Sequence, residues 1–118
     1  MKPTLDPSVL EGLRAEMEGS GIDLVAELVA AYLSDAPRLY AGLVEALRAD
    51  DSERVRRQAH KLKGASLSLG ASRLVELCQL VEERAAQADL APCQALVDEA
   101  AQELERATSA LQELRRAS

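Results

Sequence analysis

The sequence predicts an all-α fold, an antiparallel four-helix bundle with an additional short N-terminal helix, and three observations carry that expectation. The 118-residue chain is rich in Ala, Leu, Glu, Arg and Gln, the strong helix formers, and contains no Phe or Trp. Its apolar residues recur every three or four positions over long stretches, as one buried helix face requires. Gly, Pro, Asp and Ser cluster between those stretches, at spacings that suit rods joined by short turns. The length fits one domain over residues 1–118, large enough to bury a modest core without disulfides or a metal.

Asp6-Pro7 is a helix-start signal, with Asp6 as N-cap and Pro7 in the first turn, where its missing N–H costs nothing. A first helix is expected over Pro7 to Glu18, with Val9, Leu10, Leu13 and Met17 on one stripe and Gly19-Ser20-Gly21 ending it. Ile22, Val25, Leu28, Val29, Tyr32, Leu33, Ala36, Tyr40, Leu43 and Leu47 then keep a helical period across Pro37. Proline removes one backbone donor and crowds the preceding turn, so one long helix kinked at Pro37 is expected, in preference to a break at Ser34-Asp35.

Asp50-Asp51-Ser52 reads as an acidic turn that caps the next helix, Glu53 to about Leu69, with Val55, Ala59, Leu62, Ser66 and Leu69 inward. Gly70 ends it. Ser72 is expected to help start a helix to about Ala88, with Leu74, Leu77, Cys78, Val81 and Ala85 inward. Ala91-Pro92 opens the last helix, in which Leu96, Val97, Ala100, Leu104, Ala107, Leu111 and Leu114 repeat at near-heptad spacing.

The formal net charge of −6 argues against binding a nucleic-acid backbone. No apolar run approaches the roughly 20 residues that span a bilayer, and the first residues lack the basic-then-apolar order of a signal peptide. A cytoplasmic protein with no membrane contact is expected. Cys78 and Cys93 show neither CxxC spacing nor a second ligand type nearby, and read as buried packing thiols.

The chain holds a single histidine, His60. Counting roughly 100° per residue, it points about 140° away from the centre of the inward stripe of its own helix, toward water. Gly64 follows one turn later on the same side, although Gly in a helix is about 1 kcal/mol worse than Ala. A missing side chain there lets another molecule approach the imidazole closely, and Lys63 on the flank can meet negative charge that it brings. The three together suit a phosphoryl group.

The run Ala59-His60-x-Leu62-Lys63-Gly64-Ala65-Ser66-x-x-Leu69-Gly70-Ala71-x-x-Leu74-x-x-Leu77-Cys78-x-x-Val81-Glu82 resembles a histidine phosphotransfer (HPt) domain, of the free-standing bacterial type. The resemblance implies a four-helix bundle that carries phosphate on a surface histidine, exchanging it with aspartates of response-regulator receiver domains in a phosphorelay. It implies a hybrid sensor histidine kinase as a further partner, no ATP-dependent kinase activity of its own, no resident cofactor or metal, and Mg²⁺ on the receiver. Matched residue by residue, His60 takes the place of the phosphorylated histidine, Lys63 that of the lysine beside the phosphoryl group, and Gly64 that of the small residue admitting the receiver. Glu82 stands where the family has Gln or Glu, hydrogen-bonding the imidazole nitrogen that is not phosphorylated. Lys61 departs from the small hydroxyl residue common at its position and receives no role.

Glu82, Gln79 and Val75 share one flank of their helix, beside its core stripe, so a groove between two helices can form. Leu67, Gln79 and Arg56 are the expected docking contacts of a receiver, with Leu13 and Met17 of the first helix as further candidates. A monomer is expected of an acidic bundle with no large apolar face. The competing readings are a helical binding module that docks a receiver or another signalling protein without accepting phosphate, and a kinase fragment resembling the phosphotransfer domain of a chemotaxis kinase.

Overall fold

The computed structural model describes residues 22–117, with residues 11, 12 and 15 before them. Four helices follow in order: α1 (Ile22–Arg48), α2 (Ser52–Leu67), α3 (Ser72–Ala86) and α4 (Cys93–Ala117). Each packs on its chain neighbours and α4 closes back on α1, so the helices form a four-membered ring around one core. Of the expected N-terminal helix, Glu11, Gly12 and Ala15 are helical, while Leu13 and Met17 lie outside the described residues.

The inward stripes are largely those the periodicity marks. Val29, Tyr32, Ala36 and Leu43 of α1, Val55, Ala59 and Leu62 of α2, and Leu74, Leu77, Cys78 and Val81 of α3 are buried, as are Val97, Ala107 and Leu111 of α4. Leu28 departs from expectation: it is exposed, whereas Ala46, absent from the expected stripe, is buried. Both cysteines are free and buried. Helix α1 runs unbroken through Pro37. Tertiary packing on both sides of the proline, through Ala36 and Leu43, holds the helix where local propensity would end it.

Three of the helices end in the same way, and the turns are short for that reason. After α2, Gly70 N–H donates to the Leu67 carbonyl (3.1 Å) and Ala71 N–H to that of Ser66 (3.2 Å), with Gly70 in the left-handed region at φ 69°. This pair of reversed bonds satisfies carbonyls that the helix end leaves open. Asp50 (φ 54°) repeats it after α1, and Ala88 (φ 55°) after α3, without the freedom of glycine. Asp51 serves two helices at once: its N–H donates to the Ala46 carbonyl, and its side chain accepts from Arg54 N–H at 3.2 Å as the N-cap of α2. Ser72 does not cap α3. The N-cap is Ala71, which has no side-chain oxygen, and the Ser72 hydroxyl is turned back to the Gly70 carbonyl at 3.4 Å.

Two tyrosines tie α1 to its neighbours. Tyr32 Oη and Ser66 Oγ form a buried 2.9 Å hydrogen bond between α1 and α2, and Tyr40 Oη donates to the Val97 carbonyl of α4 at 3.1 Å. Ser66 therefore sits in the core with its hydroxyl satisfied. The register of α2 is fixed by this face, which leaves the opposite face, bearing His60, in solvent.

Candidate functional site

His60 lies mid-way along α2, with its side chain 64% exposed. Its partner comes from α3. Nδ1 is 3.2 Å from each carboxylate oxygen of Glu82, whose side chain is only 18% exposed. An ionised carboxylate only accepts, so the proton sits on Nδ1 and the Nε2 lone pair is left without an intramolecular partner among the described residues.

The same carboxylate also holds a cation. Lys63 Nζ, one turn along α2 from Ala59, donates to Glu82 Oε1 at 2.9 Å and to Gln79 Oε1 at 2.8 Å, with the side chain 16% exposed. Gln79 in turn donates through Nε2 to Glu83 at 3.0 Å. Burial pushes the Glu82 carboxyl up, but hydrogen bonds from Lys63 and His60, with their charges, outweigh it and leave the group below its ordinary value. Beneath the cluster, burial and then the Glu82 charge push the Cys78 thiol up to about 12. Cys78 is thus a protonated packing group and no nucleophile.

Gly64 opens the approach. A Cβ built on it would meet nothing within 4 Å, so the surface beside His60 is open space. Leu67 lies beyond it, 59% exposed. Arg56, on the α3 side of His60, is bonded to Glu53 within α2, and Glu82 is close enough to add to the field on its guanidinium.

His60, Lys63, Glu82 and Gln79 are therefore brought together in one cluster across α2 and α3. Gly64 and Leu67 border it on the open side, and Arg56 faces a neighbouring acid. The helical count from sequence finds the exposed face of α2 but not the contact between Lys63 and Gln79, because periodicity within one helix says nothing of the rotamers across a groove. Arg57 and Lys61 also stand exposed around His60. The signal for them was present in the clustering of Arg54, Arg56, Arg57, Lys61 and Lys63 within an acidic chain.

The family pattern of the Hpt domain matches residues 27–117, more than three-quarters of the chain and all of the cluster. The chain belongs to the Hpt domain family. This Hpt domain is similar in structure to histidine-containing phosphotransfer protein B (HptB) of Pseudomonas aeruginosa PAO1, with a TM-score of 0.85 and 31% identity over 98% of each chain. A comparison with curated proteins gives no match. As an Hpt domain, the protein is a histidine phosphotransfer carrier of phosphorelays, a family whose members interact with receiver domains and kinases. Among the described residues no helix is long and apolar enough to cross a membrane.

Proposed function

We propose that His60 is the residue that carries the phosphoryl group, and that it does so on Nε2. The observation that carries this reading is the Nδ1 contact with both Glu82 oxygens at 3.2 Å on a ring that is otherwise largely in solvent. Glu82 fixes the tautomer, and with Nδ1 occupied the lone pair on Nε2 is the nucleophile.

In the proposed transfer a receiver docks over Gly64 and presents an aspartyl phosphate. The Nε2–P bond forms as the P–O bond to the aspartate breaks, and the bonding electrons return to the aspartate as a free carboxylate. The imidazole becomes a cation because Nδ1 keeps its proton, and the Glu82 charge offsets it. Donation to a second receiver is the reverse: the ring leaves as a neutral imidazole, a good leaving group because Nδ1–H is retained. Lys63 adds positive charge to the cluster, and its lean toward Glu82 gives it a second task, holding that carboxylate in place. Leu67 is the apolar docking contact, with Gln79 and Arg56 at the rim on the α3 side.

Mg²⁺ enters this reading as the receiver's own ion, with none resident on the carrier. A cytoplasmic monomer that exchanges phosphate with receivers and with a hybrid sensor histidine kinase, and has no activity toward ATP by itself, completes it. The test is incubation of the protein, and of His60→Ala beside it, with a phosphorylated receiver domain. Acid-labile phosphate on the first and not the second is the expected result; equal labelling of both, or of neither, refutes it.

A further inference from the structure

Helix α2 carries five cations, Arg54, Arg56, Arg57, Lys61 and Lys63, against a single acid, Glu53, which makes it +4. The whole chain is −6, so the residues outside α2 carry −10. Two of the five cations are engaged within the fold: Arg56 with Glu53, and Lys63 with Glu82 and Gln79. Arg54, Arg57 and Lys61 form no ion pair among the described residues, and Arg57 and Lys61 are exposed. By helical rotation Arg57 stands about 60° and Lys61 about 100° from His60, both on the side turned away from α3, with Gly64 between them and the ring.

We propose that Arg57 and Lys61, with Arg54 behind them, form a basic flank that steers and seats the acidic rim of a receiver's phosphoaspartate site beside His60. The inference rests on the carrier reading of His60 and goes beyond it, because neither residue touches the reacting atoms.

Charge complementarity names the occupant. A protein surface that presents an aspartyl phosphate with its Mg²⁺ is built around carboxylates and phosphate oxygens. A bundle that is acidic outside α2 would repel such a surface over much of its area and attract it over this strip. Local fields of this kind act on encounter and orientation, raising association rates while leaving the chemical step untouched. A long polyanion is disfavoured, since it would also lie against the acidic remainder.

The experiment is single-turnover transfer from a phosphorylated receiver to the intact protein, over a range of receiver concentrations and at about 50 and about 300 mM salt. The double substitution Arg57→Glu with Lys61→Glu should raise the half-saturating receiver concentration by about tenfold and flatten its dependence on salt. The maximal rate should stay within about twofold. The neutral pair, Arg57→Gln with Lys61→Gln, should fall between native and reversed, and unchanged helicity by circular dichroism shows that both variants fold. Native half-saturation and native salt dependence in the reversed protein would overturn the flank while leaving the carrier reading intact. A fall in maximal rate alone would overturn it too. Failure of the native protein to take acid-labile phosphate at His60 is a separate result, and it would bring down the carrier reading and the flank together.

Discussion

Glu82 and His60 meet across the α2–α3 groove with both carboxylate oxygens 3.2 Å from Nδ1, so the half-buried member of the pair sets the proton position of the exposed one. Charge-assisted hydrogen bonds contribute about 1.5–3 kcal/mol when well sheltered, and this one is sheltered only on the Glu82 side. Glu82→Gln keeps an acceptor and loses the charge. Its maximal phosphotransfer rate should fall about tenfold, which corresponds to about 1.4 kcal/mol, and Glu82→Ala should fall further. Single-turnover kinetics at saturating receiver give both numbers, and a native rate in Glu82→Ala would remove the residue from the mechanism.

The lowered Glu82 carboxyl also sets a pH dependence for stability. A depressed folded-state value means that the contact stabilises the fold above the ordinary glutamate range and is lost as pH falls through the folded value. Thermal melts of the native protein and of Glu82→Gln should therefore differ most near neutrality and converge in acid, where the native carboxyl is protonated. A gap that stays constant down to about pH 3 would show that Glu82 gains nothing from Lys63 and His60.

Gly64 separates folding from function. A methyl there meets no atom within 4 Å, so Gly64→Ala should gain about 1 kcal/mol of helix propensity and raise the melting temperature by about 3–5 °C. Gly64→Gln should fold equally well and yet slow transfer by raising the half-saturating receiver concentration. If Gly64→Gln transfers as the native protein does, the receiver does not approach over this position.

Leu67 is tested by charge. With its side chain 59% exposed, Leu67→Glu should leave helicity unchanged and weaken receiver docking by several-fold. Unaltered saturation kinetics would take it out of the interface.

Ala88 offers a prediction about stability alone. It closes α3 at φ 55°, a conformation that costs an L-residue with a Cβ about 1–2 kcal/mol. Ala88→Gly removes that cost, partly offset by the larger entropy of glycine in the unfolded chain, and should stabilise the protein by up to about 1 kcal/mol. Chemical denaturation reads the shift, and a destabilised variant would contradict the strain assigned to this turn.

Much of this architecture is legible in the sequence because each helix announces its inward face separately. Val55, Ala59, Leu62 and Ser66 fix the orientation of α2, and that alone sends His60 to solvent. The end of α2 at Gly70 is equally legible, since glycine is the residue that takes φ 69° without strain. Ala88 in the same role is not, because alanine does not advertise a left-handed turn, whereas Asp50 stands in a run that already reads as a turn. The exposure of Leu28 reflects the same limit, whereas the passage of α1 through Pro37 follows from an apolar period that continues across the proline.

The site divides in the same way. Residues on one face of α2 follow from rotation, and the Glu82 partnership from the family motif. Lys63 reads from sequence as a cation waiting for phosphate, yet its Nζ is engaged by Glu82 and Gln79, a choice made by the distance across the groove. Arg57 and Lys61 carry no motif and stand out only once the paired cations of α2 are set apart from the unpaired ones.

The central claim is that phosphate resides on Nε2 of His60 while Glu82 holds the proton on Nδ1. Because His60 is the only histidine, a histidine-selective nitrogen spectrum of the phosphorylated protein reports on one ring alone. Nitrogen–phosphorus coupling at Nε2, with Nδ1 protonated and its shift altered by Glu82→Gln, is the predicted result; phosphorus on Nδ1, or on no imidazole nitrogen, would contradict the account.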